Sequence, residues 1–213
     1  MITFKQFLLS EEDTEIETLE EFLSDRAEQL IEDVGLHNLY DLRLFRGLKL
    51  SNSDTRVTLL IDGEEKDCYI RFTRAERKPK DISEQITRRL DDEFEERLGW
   101  RPRTQGVFCT SDSMQAHQYG DTCRIYPLGD YKCVTSENVD DLLRVLYTVI
   151  QKDAARDDLN PRTNMEVKDL DLIFEKLEPI IDSYKNYSVK DAIRFGNETI
   201  IKCGAYLIVP RFK

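Results

Sequence analysis

The chain has 213 residues, 40% of them hydrophobic and 34% charged, enough to bury a real core in one large domain or a domain with a helical extension. The longest apolar runs are too short to span a bilayer, and Glu11-Glu12-Asp13 follows an N-terminus that has no basic n-region, which argues against membrane insertion and a secretory signal. Of the net charge of −11, residues 1–45 carry −9 (12 acidic side chains against 3 basic), so the acidity belongs to the N-terminal segment and no global basic field offers nucleic acid a main binding surface.

Residues 14–34 read as one helix: Ile16, Leu19, Leu23, Ala27, Leu30 and Val34 form an apolar stripe, acidic residues fill the opposite face, and Gly35 stops it. Strands are expected at residues 42–48, 57–61 and 68–72, with Asp62-Gly63 opening a hairpin of longer loop between the last two. Ile82, Ile86, Leu90, Phe94 and Leu98 recur every four residues, which predicts a helix capped by Asp81 or Ser83 and ended by Gly99. A strand over 105–110, a short helix over 114–119 and a strand over 123–126 that ends at Pro127 follow. Residues 139–150 are helical, with Leu142, Leu143, Leu146 and Val149 inward.

Residues 152–167 are polar and read as a mobile connection around Asn160-Pro161. Helices are expected near 168–184 and 189–194. Two strands, 198–202 and 205–209, then close the chain across a Cys203-Gly204 turn. Strands and helices mix without regular βαβ alternation, which favours an α+β sheet fold.

Five cysteines with no CxxC pair, and His37 and His117 alone beside them, give no metal-ligand spacing; reduced thiols in a cytosolic compartment are the simplest reading. A local basic stretch, Arg71, Arg74, Arg77, Lys78 and Lys80, is either a phosphate contact or a solvated edge.

Three separated segments carry the chemistry. Leu44-Phe45-Arg46-Gly47-Leu48 places an arginine after an aromatic; Gly106-Val107-Phe108-Cys109-Thr110-Ser111, then Ala116 and Tyr119-Gly120, places hydroxyls at a strand end; Glu198 opens a strand, with Ile200, Ile201, Gly204 and Val209 after it. In this order they resemble the arginine–serine–glutamate class of the ADP-ribosyltransferase superfamily. The resemblance implies a split mixed or antiparallel sheet with flanking helices over residues 36–213, preceded by the acidic segment 1–35. It also implies NAD as substrate. Glu198, at the sheet edge facing a cleft, would be catalytic. Arg46 would bind phosphate or ribose through its planar fork, and Gly47 would let the ligand approach the backbone. Thr110 and Ser111 would position the substrate, and Phe108 or Tyr119 would stack on nicotinamide. The chain departs from the class twice: Cys109 stands where the hydroxyl run normally starts with Ser, and Gly196 where arginine-modifying members carry a second acidic residue.

Residues 74–108 in part, and the opening Met1 to Leu9, resemble uncharacterised tailed-phage proteins, and Leu9-Ser10-Glu11 matches the tripeptide cut by a prohead protease. The implied role is transfer of ADP-ribose from NAD to a host protein or other macromolecule in the host cytoplasm, or from within the virion, with NAD hydrolysis as a side reaction. Two other readings stay open: a non-enzymatic phage protein, structural or host-inhibitory, that kept the fold, and an acidic decoy that binds a host DNA-binding protein through residues 11–33.

Overall fold

A computed structural model describes residues 16–78, 82–154 and 170–210. The tripeptide Leu9-Ser10-Glu11, the Asp81 cap and most of the connection over 152–167 lie outside the described residues.

The protein is α+β, with an open seven-stranded sheet whose strand pairings are all antiparallel, flanked by helices. Among the described residues the elements run α1 (Leu19–Arg26), α2 (Glu28–Val34), β1 (Phe45–Leu48), β2 (Thr55–Ile61), β3 (Glu64–Phe72), α3 (Glu84–Leu98), α4 (Pro102–Gln105), β4 (Val107–Cys109) and α5 (Ser113–His117). They continue as β5 (Asp121–Ser136), α6 (Leu142–Ala154), α7 (Leu170–Ile181), β6 (Tyr184–Asn186), α8 (Val189–Phe195) and β7 (Thr199–Pro210). No helix among them is long and apolar enough to cross a membrane.

The spine is the long pair β5–β7. Each member gives its outer edge to two short strands in succession. On β5, residues 121–124 pair β1 and residues 134–136 pair β6. On β7, residues 199–201 pair β4 and residues 205–208 pair β3, which carries β2. The sheet therefore has two halves that share the spine, β1-β5-β7-β3-β2 at one end and β6-β5-β7-β4 at the other. A bulge between Leu128 and Tyr131, with Gly129 at a φ of 68°, marks the boundary and bends the strand there. The halves curl toward each other, because Phe45 at the start of β1 exchanges two backbone hydrogen bonds with Thr110 just past β4 (2.7 and 2.8 Å).

Two cores result. The first gathers Leu19, Phe22, Leu23, Leu30 and Val34 of α1 and α2 against Ile70, Ile125, Leu207 and Ile208 of the sheet. The second gathers Ile86, Leu90 and Phe94 of α3, Leu142 and Leu146 of α6, and Leu177 and Ile181 of α7 around Val134 and Ile200. Alternation along β4 and β7 feeds both, with Val107, Cys109 and Ile201 facing the first and Phe108 and Ile200 the second.

Several expectations are corrected. The N-terminal helix is two helices broken at Ala27, which leaves helical geometry at φ −142° and ψ 42°; Ile16 lies outside them, 42% exposed. Asp62-Gly63 is a complete two-residue turn with Ile61 paired to Glu64, not a longer loop, because both residues adopt positive φ (55° and 77°) as a type I′ turn requires. Pro127 does not end its strand: only β7 flanks β5 there, so the missing N–H costs no ladder bond. Cys203-Gly204 is no turn either; β7 runs straight through, and Gly129 and Asp130 on the partner strand stand opposite Gly204 alone. Thr73 closes the gap between β3 and β4 by donating its N–H to the Gly204 carbonyl and its hydroxyl to that of Cys203.

Candidate active site

Where the half-sheets meet, one cleft is lined by Phe45, Arg46 and Gly47 from β1, Phe108 and Thr110 from β4 and its end, Ala116 and Tyr119 from α5 and the turn after it, and Glu198 at the start of β7. Arg77, Arg103, Cys109, Gln115, Asp141 and Leu143 complete the wall. The cavity proper measures about 170 Å³ and opens to solvent, below the ~300–1,000 Å³ typical of sites that enclose a whole drug-sized ligand.

Glu198 precedes a central strand, so it lies at a strand start inside the sheet and not at the sheet edge. Its N–H donates to the Asp140 carbonyl at 2.9 Å, and its own carbonyl accepts the Thr135 hydroxyl at 2.8 Å, which fixes the backbone. The side chain is only 13% exposed. Burial pushes its carboxyl up to about 7; Arg103 opposes that shift, Asp141 adds to it, and the Leu142 N–H at the head of α6 stabilises the anion. Oε1 is buried without a hydrogen-bond partner.

Arg46 spans the seam. Its Nη1 donates to the Phe108 carbonyl at 2.8 Å while Nε is buried and unpaired, so it ties β1 to β4. Gly47 serves a different contact from the one expected. A Cβ there would stand 1.9 Å from the Ala116 carbonyl; the close approach is made by α5 and not by a ligand.

Strand alternation resolves the hydroxyl run. Thr110 shares the cleft face with Phe108, its Oγ1 donating to Gln115 Oε1 (2.7 Å) and accepting from the Asp112 N–H (3.1 Å). Cys109 packs its side chain into the first core, where burial pushes its thiol up to about 12. Ser111 is 8% exposed and is not among the cleft-lining residues, so the structure does not bring it to the site; it sits behind, beside Gly196. Gly196 itself is the left-handed cap of α8, a position that disfavours an acidic side chain. Phe108 is engaged by the Arg77 and Arg103 guanidiniums, centred 5.0 and 4.5 Å from its ring, and Tyr119, 59% exposed, also lines the cleft.

Sequence reasoning passed over Arg103 as a site residue. It sits on the four-residue helix α4, whose first turn is tied down by Asp91 of α3: Asp91 Oδ1 accepts the Arg103 N–H (2.7 Å), and Oδ2 accepts the Thr104 N–H (3.0 Å) and hydroxyl (2.6 Å). The Asp91–Arg103 spacing crosses a helix end and a turn, and no periodicity reveals it. Arg77, noted only as part of a basic stretch, also reaches the cleft, with Nη1 donating to the Gly106 carbonyl at 2.9 Å. Among the described residues no cluster of three or more His, Cys, Asp or Glu is arranged to hold a metal ion.

No family model, no curated protein and no solved structure matches this chain.

Proposed function

We propose that the chain is an ADP-ribosyltransferase-like enzyme that cleaves the bond between nicotinamide and ribose in NAD and transfers ADP-ribose to a macromolecular acceptor, a host protein in the setting the sequence resemblance suggests. The observation that carries the reading is convergence: Arg46, Thr110 and Glu198, singled out from three distant segments, line one cleft together with Tyr119.

The chemistry suits these groups. Glycosidic cleavage builds positive charge on the sugar, and a buried carboxylate facing it stabilises that charge far more than water would. Three arginines and two carboxylates line the cleft, Arg46, Arg77 and Arg103 against Glu198 and Asp141, which favours a dianionic pyrophosphate in an otherwise acidic protein. The cavity has room for only part of a dinucleotide, so the rest of NAD would lie along its open side.

Incubation of the purified protein and a bacterial lysate with NAD labelled in the adenylate part tests the reading. Label should enter protein, and Glu198→Gln should abolish the transfer. Label that stays in free nucleotide, with no ADP-ribose formed, would refute it. The non-enzymatic alternative draws on one observation: Gly196 and Cys109 put no second acid and no first hydroxyl at the places the class uses. That alternative expects NAD to bind without being consumed.

A further inference from the structure

Arg103 and Glu198 face each other in an unusual way. Arg103 Nη1 lies 3.7 Å from Glu198 Oε1, the side chains are 11% and 13% exposed, and neither of these two atoms has a hydrogen-bond partner. Buried opposite charges this close ordinarily collapse into a bonded pair. Here the guanidinium is held back at both ends: its Cζ lies over the Phe108 ring, 4.5 Å from the centroid, and its backbone N–H is held by the buried Asp91 carboxylate.

We propose that Arg103 is a positioning residue for Glu198, held by Asp91 and Phe108 at a distance that favours the anionic carboxylate while leaving Oε1 without a bonded partner. The inference deepens the NAD-cleaving reading and rests on it for its purpose, though not for its physics. The remaining groups around the carboxylate divide. Asp141, before α6, works against ionisation and the Leu142 N–H works for it. Tyr184 on β6 is a buried phenol whose hydroxyl has no partner, and its own ionisation is pushed well up by burial, so it stays neutral. Arg103 opposes the upward shift of a buried carboxyl that already titrates near neutrality, and an opposite charge at this range moves a carboxyl by about 1–3 pH units. A bonded pair would supply the same charge but occupy the oxygen.

The test is a carbon-13 titration of the Glu198 carboxyl in the full-length chain, assigned by Glu198→Gln, and it needs no NAD. Arg103→Gln should raise the midpoint by about one pH unit or more, and Arg103→Lys should bring it most of the way back. In the unaltered chain the Arg103 side-chain nitrogen-15 resonance should move with the same midpoint as the Glu198 carboxyl, so the coupling is read even if Arg103→Gln does not fold. A wild-type Arg103 resonance that ignores the Glu198 titration, or an Arg103→Gln midpoint that is unchanged or lower, overturns the proposal. Nicotinamide release by the unaltered chain separately tests the NAD reading; where it is present, the acid limb of its pH–rate profile should move upward in Arg103→Gln by the carboxyl's shift.

Discussion

Glu198 stores instability where a catalytic group would need it. Its carboxyl titrates near 7 in the folded chain against an ordinary value of 4.5. The folded state therefore holds more protons than the unfolded state between those pH values, and stability falls as pH rises through that window and stays low above it. The shift corresponds to about 3 kcal/mol. Glu198→Gln should accordingly stabilise the protein by up to about 3 kcal/mol at pH 8, with the gain fading toward pH 4.5. Denaturant unfolding at both pH values checks this; a mutant less stable at pH 8 would show that the carboxylate is well satisfied in the fold. Arg46 behaves oppositely. It carries a charged hydrogen bond across the seam, so Arg46→Ala should cost about 1.5–3 kcal/mol of stability as well as weakening NAD binding. Calorimetric NAD affinity and unfolding of the same variant, measured side by side, separate the two losses.

At the scale of elements, the packing of α5 against β1 depends on one missing side chain. The Ala116 carbonyl occupies the place a Cβ on Gly47 would take, and backbone cannot move aside as a side-chain tip can. Gly47→Ala should destabilise by at least about 2 kcal/mol and displace α5, which carries the Thr110 partner Gln115 and leads to Tyr119. A variant as stable as the parent by denaturant unfolding would contradict this. Much of this level was legible in the sequence because its signals are local: Ser83 caps α3 through the Ile86 N–H and Gly99 ends it in the left-handed region, as periodicity and cap chemistry foretold. The failures arise where pairing overrides local chemistry. Pro127 and Gly204 look like strand breakers, yet β5 and β7 pass through both because each is the other's long partner. Register between strands more than 60 residues apart leaves no local trace. That Arg46, Thr110 and Glu198 line one cleft was legible from motif order, whereas the place of Arg103 beside them was not, because it depends on Asp91 tying down α4 and on the ring of Phe108.

The whole molecule sets the acidic N-terminal helices apart from the cleft. Leu19, Leu23, Leu30 and Val34 are buried in the first core, and Gln29 exchanges hydrogen bonds with the Tyr131 backbone at the spine's bulge; α1 and α2 therefore pack as part of the body. The cleft lies at the opposing seam, where a ligand cation would meet Glu198. The oxidised nicotinamide ring of NAD is positively charged, and a cation near a carboxyl poised at about 7 favours its ionisation. NAD binding at pH 7 should thus release up to about half a proton, seen as a binding heat that varies with the ionisation enthalpy of the buffer. The variation should vanish at pH 9, where the carboxyl is already charged, and in Glu198→Gln. Buffer-independent heat at pH 7 would remove Glu198 from the neighbourhood of the nicotinamide.

The most direct measurement is the rate of nicotinamide release from NAD by the unaltered chain and by Glu198→Gln, with folding of both verified. Positive charge moves from the nicotinamide ring onto the ribose as the bond breaks, so loss of the carboxylate should slow release by about 10²-fold or more, a larger effect than its loss has on NAD affinity. Equal rates in the two proteins, or no release by the unaltered chain under conditions where it binds NAD, would contradict the assignment of this cleft to NAD cleavage.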